Sequence, residues 1–293
     1  MKVGFIGLGN MGAPMARRLL ANGHDVKVFD SNAALAQTFS PAWVGSLSEV
    51  GSDREVIVTM LPNGQIVREV LLGADGALSH AHPGTVVLDT SSSDAAGTVA
   101  LGAELEQLGF ALIDAPVSGG VPLAAQGKLA MMIGADDRAT LDRVRPALEA
   151  FGDRHIEVGG LGCGHAAKAI NNSIAAAIVA ITSEGLVLGE RFGIAPGTLL
   201  DVINSSTGRS QISETIFKTQ ILPRTFALGF SIGLMAKDVA LAASLCSRLG
   251  LDLPVLDAVS TRWSAARDAL GHNTDFTAFV RDIEARNSVA KPS

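Results

Sequence analysis

Short apolar runs alternate with amphipathic stretches through the first half of the chain and vanish from the second. Runs at residues 2–7, 25–30, 55–60, 85–89, 111–114 and 130–134 have strand length and are rich in Val, Ile, Leu and Phe. Between them, residues 11–22, 65–72, 95–108 and 138–151 repeat their apolar positions with helical spacing. Strands that are apolar nearly throughout, each followed by a helix, predict a mostly parallel sheet covered on both faces.

After about Val158 the pattern changes. Gly159, Gly160, Gly162 and Gly164 read as a flexible junction, and a helical stretch over 163–192 follows, about 45 Å long at the usual rise. Further helices are expected at 196–205, 233–249, 254–270 and 276–285, and the last few residues read as a loose tail. At 293 residues the chain exceeds what one core organises. The expected organisation is an α/β domain over 1–160 and an all-α domain over 161–293, joined by the long helix. The most apolar stretch, 173–188, contains Ser183 and Glu184 and follows Lys168, Asn171 and Asn172. A membrane span needs about 20 apolar residues, so this stretch is expected to be a buried helix. A helix longer than a small domain is wide also predicts a homodimer or homotetramer.

The net charge of −6 disfavours nucleic acid or an anionic membrane as the main partner. Cys163 and Cys246 are too few and too far apart for a zinc site or a disulfide framework, and no His, Cys or carboxylate cluster suggests a metal. Two lone thiols and an N-terminus that runs straight into an apolar strand suit a reducing, cytoplasmic location.

Gly7-Leu8-Gly9-Asn10-Met11-Gly12 follows the first strand and opens a helix, the setting a dinucleotide-binding loop requires. Gly7 permits the turn, Gly9 lets backbone approach a pyrophosphate, and Gly12 allows the helix to pack closely. Asp30 ends the second strand 18 residues beyond Gly12. A carboxylate there accepts hydrogen bonds from ribose hydroxyls and repels a 2′-phosphate, and Ser31-Asn32-Ala33-Ala34 offers no cation. NAD is therefore expected as the preferred cofactor, with NADP as the alternative. Asp30 equally suits the cap of a following helix.

Five motifs in order make the chain resemble the beta-hydroxyacid dehydrogenase family, which includes 3-hydroxyisobutyrate dehydrogenases and tartronate semialdehyde reductases. They are the glycine loop, Thr59-Met60-Leu61-Pro62, Asp114-Ala115-Pro116-Val117-Ser118-Gly119-Gly120, Gly162-Cys163-Gly164-His165-Ala166-Ala167-Lys168-Ala169-Ile170-Asn171-Asn172, and Leu234-Met235-Ala236-Lys237-Asp238. The resemblance implies a Rossmann-type domain followed by an all-α domain, and a small carboxylate substrate. It implies that Lys168 is catalytic, that Asn172 touches the substrate, and that Ser118, Gly119 and Gly120 hold its carboxylate. It places Leu61, Pro62, Ser92 and Lys237 at the cofactor, Lys237 beside the nicotinamide end. Ser92 stands where the family commonly has Thr, and the Pro usually found a few residues on is absent.

Oxidising an alcohol by hydride transfer requires a group that takes the hydroxyl proton, most effective when its pKa lies near the working pH. Lys168 must then be lowered from the free-lysine value. The helix N-terminus, Lys237 and burial are the expected causes. Asn172 follows one helical turn later on the same face. The Ser118-Gly119-Gly120 turn offers a hydroxyl and unshielded backbone amides to an anion. His165 reads as structural, and Arg209 as a loop tie or a second anion partner. The leading expectation is an oxidoreductase for a small 3-hydroxy acid or its semialdehyde. The alternatives are an imine or ketone reductase on the same scaffold, which lysine counts against, and a non-catalytic dinucleotide-binding module.

Overall fold

The computed structural model describes residues 1–287. The expected tail falls in 288–293, outside the described residues. Contacts divide the chain into two compact units, Met1–Lys168 and Ala169–Ser293, with the division inside the long helix, directly after Lys168.

The first unit is built on β1 (Lys2–Ile6), α1 (Gly12–Ala21), β2 (Asp25–Phe29), α2 (Leu47–Gly51), β3 (Val56–Thr59), α3 (Gly64–Leu72), β4 (Val86–Asp89), α4 (Ala95–Gln107) and β5 (Ala111–Asp114). It continues through β6 (Val117–Ser118), α5 (Gly120–Gln126), β7 (Ala130–Gly134), α6 (Arg138–Phe151), β8 (Arg154–Gly159) and the start of α7 (Cys163–Phe192). The sheet order is β2-β1-β3-β4-β5-β7-β6, with β8 on β7. Strands β1 to β5 are parallel; β7 runs antiparallel to β5 and β6 and parallel to β8. The mostly parallel sheet of a Rossmann-type domain is thus present.

Strand periodicity sorts the apolar residues into two cores. Val56, Val58, Val86 and Leu88 face Met15 and Leu19 of α1 and Val144 and Phe151 of α6. Ile57 and Val87, between them in sequence, face Val67 and Leu71 of α3 and Leu101 and Leu105 of α4. The chain order reverses between β1 and β3, and ligands of open α/β sheets bind outside the strands' carboxyl ends at such a point.

The glycine junction is not loose. A Cβ at Gly164 would lie 2.4 Å from the Met132 carbonyl oxygen, and one at Gly162, where φ is +90°, would lie 2.9 Å from the Ala95 oxygen. These glycines let the start of α7 seat against the sheet.

The second unit contains the rest of α7, α8 (Pro196–Asn204), α9 (Ile232–Arg248), α10 (Pro254–Leu270) and α11 (Phe279–Arg286). A wide helical segment with i→i+5 hydrogen bonding spans Ser213–Ile221, where no element was expected. Its core gathers Ala176 and Val179 of α7, Met235 and Val239 of α9, and Trp263 of α10. Trp263 stacks on Phe279 at 4.3 Å and donates from Nε1 to the Ala176 carbonyl at 3.1 Å. Only one face of α7 meets the expectation of burial. Ile174, Ile181, Leu188 and Phe192 are 58, 66, 72 and 85% exposed. By length and composition α7 could cross a membrane, but half of its most apolar window is buried inside the protein.

Candidate active site

In the first unit the predicted residues gather at the carboxyl ends of the parallel strands. Gly7 follows β1 with φ +98°, and a Cβ there would stand 2.3 Å from the Met60 carbonyl oxygen. At Gly12 an added Cβ would meet the Gly7 oxygen at 1.9 Å. At Gly9, by contrast, a Cβ would meet nothing within 4 Å, so no protein neighbour demands glycine there. α1 is preceded by Met11, whose side chain makes no capping bond, whereas α3, α4 and α6 are capped by Asn63, Asp94 and Asp137. Its first amides, beside Asn10 and an open Gly9, suit an anion.

Asp30, directly after β2, grips this loop. Its Oδ2 accepts from the Leu8 amide at 2.6 Å and its Oδ1 from the Asn32 amide at 2.7 Å. The cap of the short turn that follows is Asn32, which accepts from Ala34, and not Asp30.

Asp89 organises the loops after β3 and β4. It accepts from Thr59 Oγ1 at 2.8 Å, the Ser91 amide at 3.0 Å and Ser93 Oγ at 3.2 Å. Ser91 Oγ in turn accepts from the Leu61 amide at 2.9 Å, joining Leu61 and Pro62 to the loop that carries half-buried Ser92. Ser118 ends β6, and Gly119 and Gly120 follow with φ +140° and +70°, values that explain the glycine pair. Gly119 caps α5 with no side chain, leaving its amides approachable.

Asp114 holds the start of α7 from 48 and 51 residues away. Its Oδ1 accepts from the Gly162 amide and its Oδ2 from the His165 amide, both at 2.7 Å. Burial pushes its carboxyl above the ordinary range, partly countered by His165 and these amides. The capping carboxylate also offsets the positive potential that the bare helix start would present to Lys168. Lys168 is half-buried, one turn into the helix.

The second unit holds Asn172, Lys237 and a residue to which sequence reasoning assigned no role, Asp238. Asn172 is buried and donates from Nδ2 to Asp238 Oδ2 at 2.6 Å, while Asn171 is exposed. Lys237 Nζ lies 2.9 Å from Asp238 Oδ1. A carboxylate next to Lys237 on an otherwise apolar helical run was the available signal.

Residues 2–160 match the family described as the NAD binding domain of 6-phosphogluconate dehydrogenase. Residues 162–283 match that described as NAD-binding of NADP-dependent 3-hydroxyisobutyrate dehydrogenase. The 2-(hydroxymethyl)glutarate dehydrogenase of Eubacterium barkeri is 34% identical over 99% of this chain and 97% of its own. The NAD-dependent L-serine dehydrogenase of Pseudomonas aeruginosa is 35% identical over 82% of this chain and 84% of its own. A solved structure of Mycobacterium tuberculosis 3-hydroxyisobutyrate dehydrogenase with L-serine superposes with a TM-score of 0.87 at 34% identity, covering 97% of this chain and 99% of that one. The chain belongs to the beta-hydroxyacid dehydrogenase family. It is an NAD(P)-dependent hydroxyacid dehydrogenase.

A Streptomyces aurantiacus imine reductase shares the dehydrogenase's fold at 18% identity and a TM-score of 0.64. A nicotinamide dinucleotide fits the dehydrogenase's own residues. The open approach at Gly9 and the uncapped α1 suit its phosphates, and the Asp30 carboxylate, which also accepts from the Leu8 and Asn32 amides, suits ribose hydroxyls. Among the described residues, no group of three or more His, Cys, Asp or Glu could hold a metal ion.

Proposed function

We propose that this dehydrogenase oxidises a small 3-hydroxy acid of the 3-hydroxyisobutyrate type, or reduces its semialdehyde, with Lys168 as general acid and base. The observation that carries the reading is the placement of Lys168 and Asn172 one turn apart on α7, with the Asn172 amide held by Asp238. In the oxidative direction the neutral Lys168 amine takes the substrate's hydroxyl proton at Nζ. In the reductive direction its ammonium returns that proton to the carbonyl oxygen. Bound nicotinamide supplies the hydride acceptor or donor. Asn172, oriented by one Nδ2 hydrogen donated to Asp238, offers the second lone pair of Oδ1, beside the bond it accepts from Asn171, to the hydroxyl or to the lysine. Ser118 and the amides of Gly119 and Gly120 hold the substrate carboxylate.

Gly7 to Gly12, Leu61, Pro62, Ser92 and Lys237 bind the cofactor, and NAD is preferred over NADP. Asp30 favours ribose hydroxyls over a 2′-phosphate, and no cation follows it in 31–34. The domain boundary for function lies near residue 160, so that α7 carries the catalytic pair into the helical domain. The enzyme works in the cytoplasm as a homodimer or homotetramer. The exposed apolar row Ile174, Ile181, Leu188 and Phe192 supports the oligomer.

The test is turnover of 3-hydroxyisobutyrate, glycerate, L-serine and threonate with NAD and NADP side by side. Activity on at least one 3-hydroxy acid, higher with NAD, is expected. Cofactor binding without turnover of any of them would favour a non-catalytic module.

A further inference from the structure

His165 lies in the first turn of α7, three residues before Lys168, and is 1% exposed. Its imidazole fills the space between three side chains of the sheet unit. Nδ1 stands 2.8 Å from Thr98 Oγ1 and 3.8 Å from Asp114 Oδ2, and Nε2 faces Asp89 Oδ2 at 3.6 Å. Nε2 is buried and has no hydrogen-bond partner. A buried polar atom left unmatched costs stability, and a lone pair aimed at a carboxylate oxygen would add repulsion. The neutral tautomer that relieves both has its proton on Nε2, directed at Asp89, and takes at Nδ1 the Thr98 hydroxyl proton that otherwise goes to the Asp94 carbonyl oxygen at 3.0 Å. The 3.6 Å separation is too long for a hydrogen bond, and a contraction of less than about 1 Å would make one.

Asp89 is the residue that gathers Thr59, Ser91 and Ser93, and through Ser91 the Leu61 amide. The imidazole therefore faces, across one gap, the two loops that hold the cofactor in the reading above. Its own backbone amide is fixed by Asp114. We propose that His165 is a positioning residue. Through its Nε2–H and Asp89 it ties the first turn of α7 to the loops after β3 and β4, and so sets where Lys168 Nζ stands relative to them. This rests on the reading that Lys168 is the acid/base and that those loops bind the cofactor.

Two substitutions separate this role from simple space-filling. Asn at 165 keeps a polar atom where Nδ1 meets Thr98 and loses the atom facing Asp89. Gln keeps an N–H where Nε2 stands and loses the contact with Thr98. Wild-type enzyme, His165→Asn, His165→Gln and Lys168→Ala are assayed as full-length protein with saturating NAD and the best 3-hydroxy acid. Thermal unfolding and NADH affinity are measured in parallel.

Positioning predicts that His165→Asn loses about 10- to 100-fold in kcat with KM within threefold, because small misplacements of a reacting group carry penalties of that order. It predicts that His165→Gln stays within about threefold of wild type in kcat. A role confined to pinning α4 against α7 through Thr98 predicts the reverse order, with Asn the better replacement. That order, or an Asn variant as fast as wild type, would overturn the proposal. If Lys168→Ala kept full activity, the acid/base reading itself would fail, an outcome distinct from any ranking of the His165 variants.

Discussion

Asp238 Oδ2 accepts a 2.6 Å hydrogen bond from the Asn172 side-chain amide, and so fixes the orientation of that carboxamide. Its other oxygen lies 2.9 Å from Lys237 Nζ. One buried carboxylate thus orders two of the proposed site residues. In Asp238→Asn the bond to Asn172 survives only with the new amide oxygen at the Oδ2 position, which turns its NH2 toward Lys237, and the ion pair with Lys237 is lost. Orienting contacts of this kind are worth about 10- to 100-fold. We expect kcat/KM to fall by that amount while thermal unfolding moves by only a few degrees. A variant at wild-type kcat/KM would contradict the assignment.

Gly9 and Gly12 predict opposite consequences for the same substitution. Gly9→Ala adds a methyl where nothing lies within 4 Å, so the fold should be unaffected while dinucleotide affinity falls about tenfold or more, a loss near 1.4 kcal/mol. Gly12→Ala drives a Cβ to 1.9 Å from the Gly7 carbonyl oxygen, which overpacking places at a cost of about 1–3 kcal/mol. Calorimetric titration with NAD, read beside thermal unfolding, separates the two. A Gly9→Ala variant that binds NAD as tightly as wild type would show that the cofactor does not approach this amide.

Asp114 links stability to pH with a sign opposite to that of a solvent-exposed ion-paired carboxylate. Burial raises its carboxyl in the folded chain, so the folded state holds the proton more tightly than the unfolded one. Its contribution is therefore fully present below the unfolded value and is lost as pH rises through the raised folded value. Asp114→Asn removes the titration and weakens the cap on α7. The stability deficit of the variant relative to wild type should narrow as pH rises from 4 to 7. Urea unfolding across that range measures it, and a deficit that widens would contradict the assignment.

The central parallel strands were readable because they are buried on both faces and so are apolar at every position but the last, as in Val56–Thr59 and Val86–Asp89. β8 escaped because it is a half-exposed edge strand carrying Arg154, His155 and Glu157, which hide its alternation. β6 has two residues, too few for any period. The Ser213–Ile221 segment winds to a repeat that a 3.6-residue search does not match. In the site, the glycine loop and Lys168 lie in contiguous motifs and were legible. Asp89, Asp114 and Asp238 reach Thr59, Gly162 and Asn172 across 30 to 66 residues of sequence, so these partners follow from the fold alone. The junction glycines were misread as flexible because glycine serves close packing and mobility equally well, and the close approaches at Gly162 and Gly164 distinguish them.

The proton-transfer role of Lys168 is tested most directly by Lys168→Ala, with kcat measured under saturating NAD and 3-hydroxy acid and NADH affinity measured on the same preparation. General acid–base catalysis contributes about 10²- to 10⁴-fold, so kcat should fall by that factor with cofactor affinity unchanged. A folded variant that keeps kcat within twofold of wild type would contradict the account.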